Sequence, residues 1–207
     1  MLIVALTGGI ATGKSVIAQI LENLGCYIHH ADKIAHQLLE PEKPAWKKIV
    51  AHFGEEILNP DKTINRSKLG SIVFSQEKER KFLNSVIHPL VLEEKKKIIA
   101  KLKREGSYKI FISEAALTIE SGFARFFDRI IVASCDEETQ VRRLMERDRS
   151  SREEALRKIR TQMPSKEKRE FASYIIDTSG PLLSTIEQTE RTYRHLMADY
   201  EVKIQEK

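Results

Sequence analysis

The chain lacks the residues that mark several large protein classes. Two cysteines, Cys26 and Cys135, occur in 207 residues. Neither belongs to a Cys-x-x-Cys pair or to a Cys/His ligand spacing, which excludes a zinc ribbon and a disulfide scaffold. Each lies in or beside an apolar run, so both are expected to be buried free thiols packed as small hydrophobes. No apolar stretch approaches the roughly 20 residues needed to cross a bilayer. The opening Met1-Leu2-Ile3-Val4-Ala5-Leu6 has no charged segment before it and is too short for a signal peptide. It reads as a buried first strand, and a cytoplasmic protein without a membrane partner is expected. No serine sits in a G-x-S-x-G elbow. A guanine-reading N-K-x-D is missing, and the one D-x-x-G, Asp177-Thr178-Ser179-Gly180, falls near the far end of the chain. A switch GTPase is therefore unsupported.

What is present is ordinary for a globular protein, with 41% apolar and 31% charged residues. The net charge of +5 points to anionic partners. Much of it is local, in Lys95-Lys96-Lys97 and in Lys101, Lys103 and Arg104, a pattern usual for a solvated helix face. No nucleic-acid reading motif accompanies it, so no nucleic-acid partner is expected. A phosphorylated small molecule draws on the same charge.

Five short runs are continuously apolar, as in strands buried on both faces. They are Leu2 to Leu6, Cys26 to Ile28, Lys109 to Ile112, Arg129 to Ala133, and Tyr174 to Ile176. Helical spacing fills the intervals, so an α/β fold with a five-stranded parallel sheet covered on both faces is predicted. The interval after the second run is too long for one crossover. It carries helical patterns at Trp46 to Phe53, Arg66 to Phe74, Glu77 to Val86 and Leu90 to Arg104, which predicts a helical insertion. A second helical excursion spans about 140–171, and a last helix runs from Leu182 to about Val202.

Between the first strand and the helix after it lies Gly8-Gly9-Ile10-Ala11-Thr12-Gly13-Lys14-Ser15, which fits G-x-x-x-x-G-K-[ST]. Glycines at positions 8 and 13 let successive backbone N–H groups turn toward phosphate oxygens, and the helix dipole adds to them. Lys14 is expected to reach the β/γ-phosphates and the Ser15 hydroxyl to ligate Mg²⁺. Gly8, Gly9, Ala11, Thr12, Gly13, Lys14, Ser15 and Val16 are thus the candidate ATP-binding residues of the loop.

The second strand runs into "HHADKIAHQLLEP", residues 29–41. Carboxyl ends of strands are where such sheets bind ligands. Asp32 there suits a general base or a holder of a Mg²⁺ water, and equally a cap on a helix starting at Lys33. His29 and His30, adjacent in a strand, face opposite sides and cannot chelate together. Asp32 and His36 share a helix face, but two groups make a poor zinc site.

These segments resemble, in order along nearly the whole chain, the dephospho-CoA kinase family. "LTGGIATGKS" is similar to its opening loop and "HADKIAHQLLEP" to its D-A-D-x-I-A segment. "LNSVIHPLV", with the His88-Pro89 pair, and "ETQVRRLMERDR", with its Q-x-x-R-x-x-x-R lid pattern, follow in place. The resemblance implies the nucleoside monophosphate kinase fold and ATP-dependent phosphorylation of the 3′-hydroxyl of dephospho-CoA. ATP and dephospho-CoA are the implied partners, Mg²⁺ the implied cofactor, and a monomer or weak homo-oligomer the expected state.

It also implies that Asp32 is the general base, acting with Lys14 as the catalytic pair. Arg143 and Arg147, four apart on one helix face, would clasp ATP. A solvated helix with Glu146 and Asp148 as ion-pair partners is the alternative. Arg66, His88 and Pro89 match positions near the acceptor substrate, although His88 equally suits a helix start packed under the insertion. One P-loop kinase domain is expected, with its core in 1–32, 107–139 and 172–207, an acceptor-binding insertion at about 33–106 and a lid at about 140–171. Four departures stand out: His30 replaces the first aspartate of D-A-D, and Ala116-Leu117-Thr118 replaces a proline-leucine-leucine. Thr178 replaces an asparagine, and Val16 a frequent threonine. Another small-molecule kinase of the same fold, or an ATP-binding module without transferase activity, is the competing reading.

Overall fold

The structure, a computed structural model, describes residues 1–206, the side chain of Phe74 excepted. Strands β1 (Leu2–Thr7), β2 (Tyr27–His30), β3 (Ile110–Glu114), β4 (Arg129–Ser134) and β5 (Tyr174–Asp177) form one sheet. Its order is β2-β3-β1-β4-β5, and every pairing is parallel. The helices are α1 (Lys14–Asn23), α2 (Ala31–Leu38), α3 (Pro44–Phe53), α4 (Arg66–Ser75) and α5 (Glu77–Glu105), then α6 (Glu137–Asp148), α7 (Arg152–Arg160), α8 (Ser165–Arg169) and α9 (Leu182–Gln205).

Each apolar run predicted as a strand is one, with a shift at β2. That strand continues two residues past Ile28, because His29 and His30 pair in register with Ser113 and Glu114 of β3. The apolar alternation shows why both faces are filled. Leu2, Val4 and Leu6 of β1 pack with Ile131 and Ala133 of β4 against Ile17, Ala18 and Leu21 of α1 and Leu196 of α9. Ala5, Ile130 and Val132 point the other way, onto Ile119, Ala124, Phe127, Met163 and Ala172. A strand with both faces apolar reads as a continuous hydrophobic run, as β1, β3 and β4 do; at edge strand β5 the expected burial on both faces fails, since Ile175 is exposed. Cys26 and Cys135 are both buried and free, as expected. Burial pushes the Cys26 thiol up to about 12.

The chain divides into two compact units, Met1–His30 with Leu102–Lys207, and Ala31–Lys101. The second has its own core of Trp46, Ile49, Phe53, Ile57, Ile64, Leu69 and Val73, against which Phe82, Leu83, Val86 and Ile87 of α5 pack. The Trp46 indole N–H donates to the Lys62 carbonyl at 2.9 Å, which satisfies its one polar group.

One expectation fails here. Two helices were predicted on either side of His88-Pro89, and a single helix of 29 residues runs through both. Proline lacks the N–H that would bond to the carbonyl four residues earlier, at Ser85, and ordinarily breaks or kinks a helix. The apolar contacts of the preceding turns with the unit's core outweigh that local cost. His88 therefore lies mid-helix and is not a helix start.

Candidate functional site

The loop between β1 and α1 turns on backbone conformations that side chains disfavour. Gly13 caps α1 in the left-handed region at φ 80°, and Ala11 takes φ 59°. At Gly8 and Gly9 the constraint is space. A Cβ on Gly8 would lie 2.4 Å from the Ala133 carbonyl oxygen, and one on Gly9 would lie 2.7 Å from Gln140 Nε2. The tip is packed as well, since Ile10 and Ala11 rest against Val141, Leu144, Ala155, Leu156 and Ile159 of α6 and α7.

Within this arch Lys14 Nζ donates to the carbonyls of Gly8 at 2.9 Å and Gly9 at 2.8 Å, so the ammonium lies over the loop. The buried Thr12 hydroxyl donates to the Gly9 carbonyl at 2.8 Å and braces the turn. Lys14 and Ser15 open α1, where backbone N–H groups have no helical partner and the dipole is positive. Val16, by contrast, is largely exposed.

Two glutamines hold the loop's outer edge. Gln140 Nε2 donates to the Ile10 carbonyl at 2.6 Å, and the Ile10 N–H donates to Gln162 Oε1 at 2.7 Å. Gln140 lies inside the lid pattern, yet only the arginines of that pattern were singled out. Gln162 carried no sequence signal.

Thr178 is the second fixture. Its hydroxyl lies 2.9 Å from the Thr12 carbonyl and 3.3 Å from that of Ser134. Arg143 donates through Nη1 to the Thr178 hydroxyl at 3.1 Å and through Nη2 to its carbonyl at 2.7 Å. Arg143 is thereby brought beside the loop. Arg147 goes elsewhere, donating to Asp148 at 2.8 Å with its side chain half exposed. Asp148 also accepts from Lys158, and these two hydrogen bonds hold its carboxyl down at about 2.

On the other side of the loop, the Ser15 hydroxyl donates to Glu114 Oε1 at 3.3 Å. Glu114 Oε2 lies 2.5 Å from His30 Nδ1, and the carboxylate is 12% exposed. Strand register makes this contact: His30 and Glu114 are direct partners at the carboxyl ends of β2 and β3. The contact of Glu114 with Ser15 follows from a sheet order the sequence does not print.

The second unit holds the remaining candidates. α2 begins at Ala31 and not at Lys33, so Asp32 lies inside the first turn, where a helix favours negative charge, and not at the cap. His36 follows one turn later. Its pKa is lowered by burial and by the Arg66 charge, while the Asp32 carboxylate pulls the other way. The Asp32 and Arg66 charges thus both act on His36, and Arg66 opens α4 behind the Asn65 side-chain cap, which accepts from the Lys68 N–H at 3.0 Å. Burial also lowers the His88 pKa. Among the described residues no three His, Cys, Asp or Glu side chains gather as a metal site.

Residues 2–184 match the family model described as dephospho-CoA kinase. The chain belongs to the dephospho-CoA kinase family. It is 42% identical to the dephospho-CoA kinase of Halalkalibacterium halodurans over 90% of this chain and 92% of that one. Among solved structures, a Thermus thermophilus protein superposes with a TM-score of 0.79 at 28% identity, covering 96% of this chain and 97% of the other. The dephospho-CoA kinase from Campylobacter jejuni gives a TM-score of 0.67, also at 28% identity, over 94% and 96% of the two chains.

Proposed function

We propose that the chain transfers the γ-phosphoryl group of ATP to the 3′-hydroxyl of dephospho-CoA, giving CoA and ADP, the last step of coenzyme A biosynthesis. The observation that carries this is family membership over residues 2–184 together with an intact phosphate loop whose Lys14 ammonium lies over the arch. Phosphoryl transfer asks a protein mainly for positioning and charge neutralisation. The loop amides and Lys14 would take the β/γ-phosphates, and Arg143, anchored at Thr178, would face the nucleotide. Arg147 would swing from Asp148 to complete the clasp as 140–171 closes as a lid and keeps water from competing as acceptor.

Ser15 and Glu114 offer a hydroxyl and a carboxylate oxygen side by side, a donor set that suits a hard divalent cation. They would hold Mg²⁺, which when bound neutralises charge on the phosphate oxygens. The second unit would receive the acceptor, with Arg66 and the His88-Pro89 stretch near it. Asp32 would take the proton of the attacking hydroxyl. No described helix is long and apolar enough to cross a membrane. The enzyme would work in the cytoplasm as a monomer or weak oligomer.

The test is ADP release from wild type and Asp32→Asn with ATP, Mg²⁺ and dephospho-CoA. A lost general base lowers kcat about 10²-fold or more, with ADP affinity unchanged. Equal turnover by the two proteins would remove Asp32 from the reaction.

A further inference from the structure

At the carboxyl end of β2, His30 lies directly across the register from Glu114 of β3. A carboxylate only accepts, so Nδ1 carries the proton and donates to Glu114 Oε2 at 2.5 Å. One oxygen of Glu114 is thus occupied and the side-chain rotamer fixed. The other, Oε1, is left facing the Ser15 hydroxyl at 3.3 Å. His30, Glu114 and Ser15 lie in the same compact unit, on β2, on β3 and in the first turn of α1.

We propose that His30 is a positioning residue for the divalent cation. By holding Oε2, it presents Glu114 to the Ser15 side of the loop through a single oxygen. Partners of this kind fix the orientation of metal-facing groups and typically change metal affinity 10- to 100-fold.

The inference rests on the reading of Ser15 and Glu114 as the oxygens that face Mg²⁺. Its test uses His30→Phe, which keeps a ring and removes the donor, and His30→Asn, whose amide N–H falls near the position of Nδ1. Two readouts are taken. One is the rise in melting temperature that ADP gives with Mg²⁺ over ADP with chelator; the other is half-saturating Mg²⁺ against kcat in turnover. His30→Phe should need about tenfold more Mg²⁺ in both, with kcat at saturating Mg²⁺ close to wild type, and His30→Asn should recover most of the loss. His30→Leu, a second variant without a donor, replaces His30→Phe if the latter does not fold. An unchanged Mg²⁺ requirement in the donor-less variant overturns the role of His30, and so does a fall in kcat alone. A wild-type protein whose stabilisation by ADP ignores Mg²⁺ overturns the reading of Ser15 and Glu114 beneath it.

Discussion

Lys168 on α8 has a side chain with 0% exposure, and its ammonium is spent on two partners. It donates to the Ala116 carbonyl at 2.8 Å and pairs with Glu120 Oε1 at 2.7 Å. Replacing it by Met keeps the length and apolar stem and removes the charge. Orphaning a fully buried partner charge costs about 3–5 kcal/mol. Here Glu120 is 21% exposed and keeps the Met163 N–H at 3.2 Å, while Ala116 keeps the Thr7 hydroxyl at 3.1 Å. The expected loss is therefore smaller, about 2–3 kcal/mol, near that of one charge-assisted hydrogen bond. For a chain of this length that lowers Tm by roughly 4–12 °C. Adding Glu120→Gln to Lys168→Met removes the stranded charge and should return about 1 kcal/mol. Calorimetry is the right assay, because the single tryptophan, Trp46, lies in the other compact unit. A Lys168→Met protein within about 0.5 kcal/mol of wild type would refute the reasoning, since surface substitutions alone give that much.

Three other outcomes are expected. The Asp148 carboxyl is held at about 2, below its ordinary 3.8, by hydrogen bonds from Arg147 and Lys158. A folded-state pKa below the unfolded one means this stabilisation is full above about pH 4 and is lost as pH falls toward 2. Asp148→Asn should thus flatten the acid limb of a Tm-against-pH curve, by no more than about 1 kcal/mol at so solvated a site. Gly8→Ala drives a methyl group against the Ala133 carbonyl, a backbone atom that cannot swing away. It should cost about 1–3 kcal/mol in urea unfolding and weaken ADP binding in equilibrium dialysis. Thr178→Val keeps the shape and removes the hydroxyl that ties Thr12, Ser134 and Arg143 together. A loss of about 1–2 kcal/mol is expected in the same unfolding assay.

Much of this fold is written locally. β1, β3 and β4 are apolar on both faces, so a continuous run identifies each of them, while the edge strands β2 and β5 show shorter apolar runs and Ile175 of β5 is exposed. The phosphate loop shows itself because its glycines answer to immediate constraints: the φ of 80° at Gly13 and the carbonyl against Gly8. What stayed hidden depends on sheet order and on length. Glu114 meets Ser15 and His30 only because β3 lies between β2 and β1. Gln162 reaches Ile10 across a sequence separation of 152, with no periodicity to announce it. Pro89 suggested a break by its own chemistry, and the packing of neighbouring turns overrode it. Asp32 was ambiguous between cap and base, and the start of α2 at Ala31 removes the capping role.

The central claim is phosphoryl transfer to dephospho-CoA, and following the γ-phosphate itself tests it most directly. Purified protein is incubated with γ-labelled ATP, Mg²⁺ and dephospho-CoA, or with AMP or no acceptor, and the labelled product is separated and identified. Label appearing in CoA as a 3′-phosphomonoester, in step with ADP and only when dephospho-CoA is present, is the predicted result. Label passing equally well to AMP, or ending as inorganic phosphate whatever the acceptor, would contradict it.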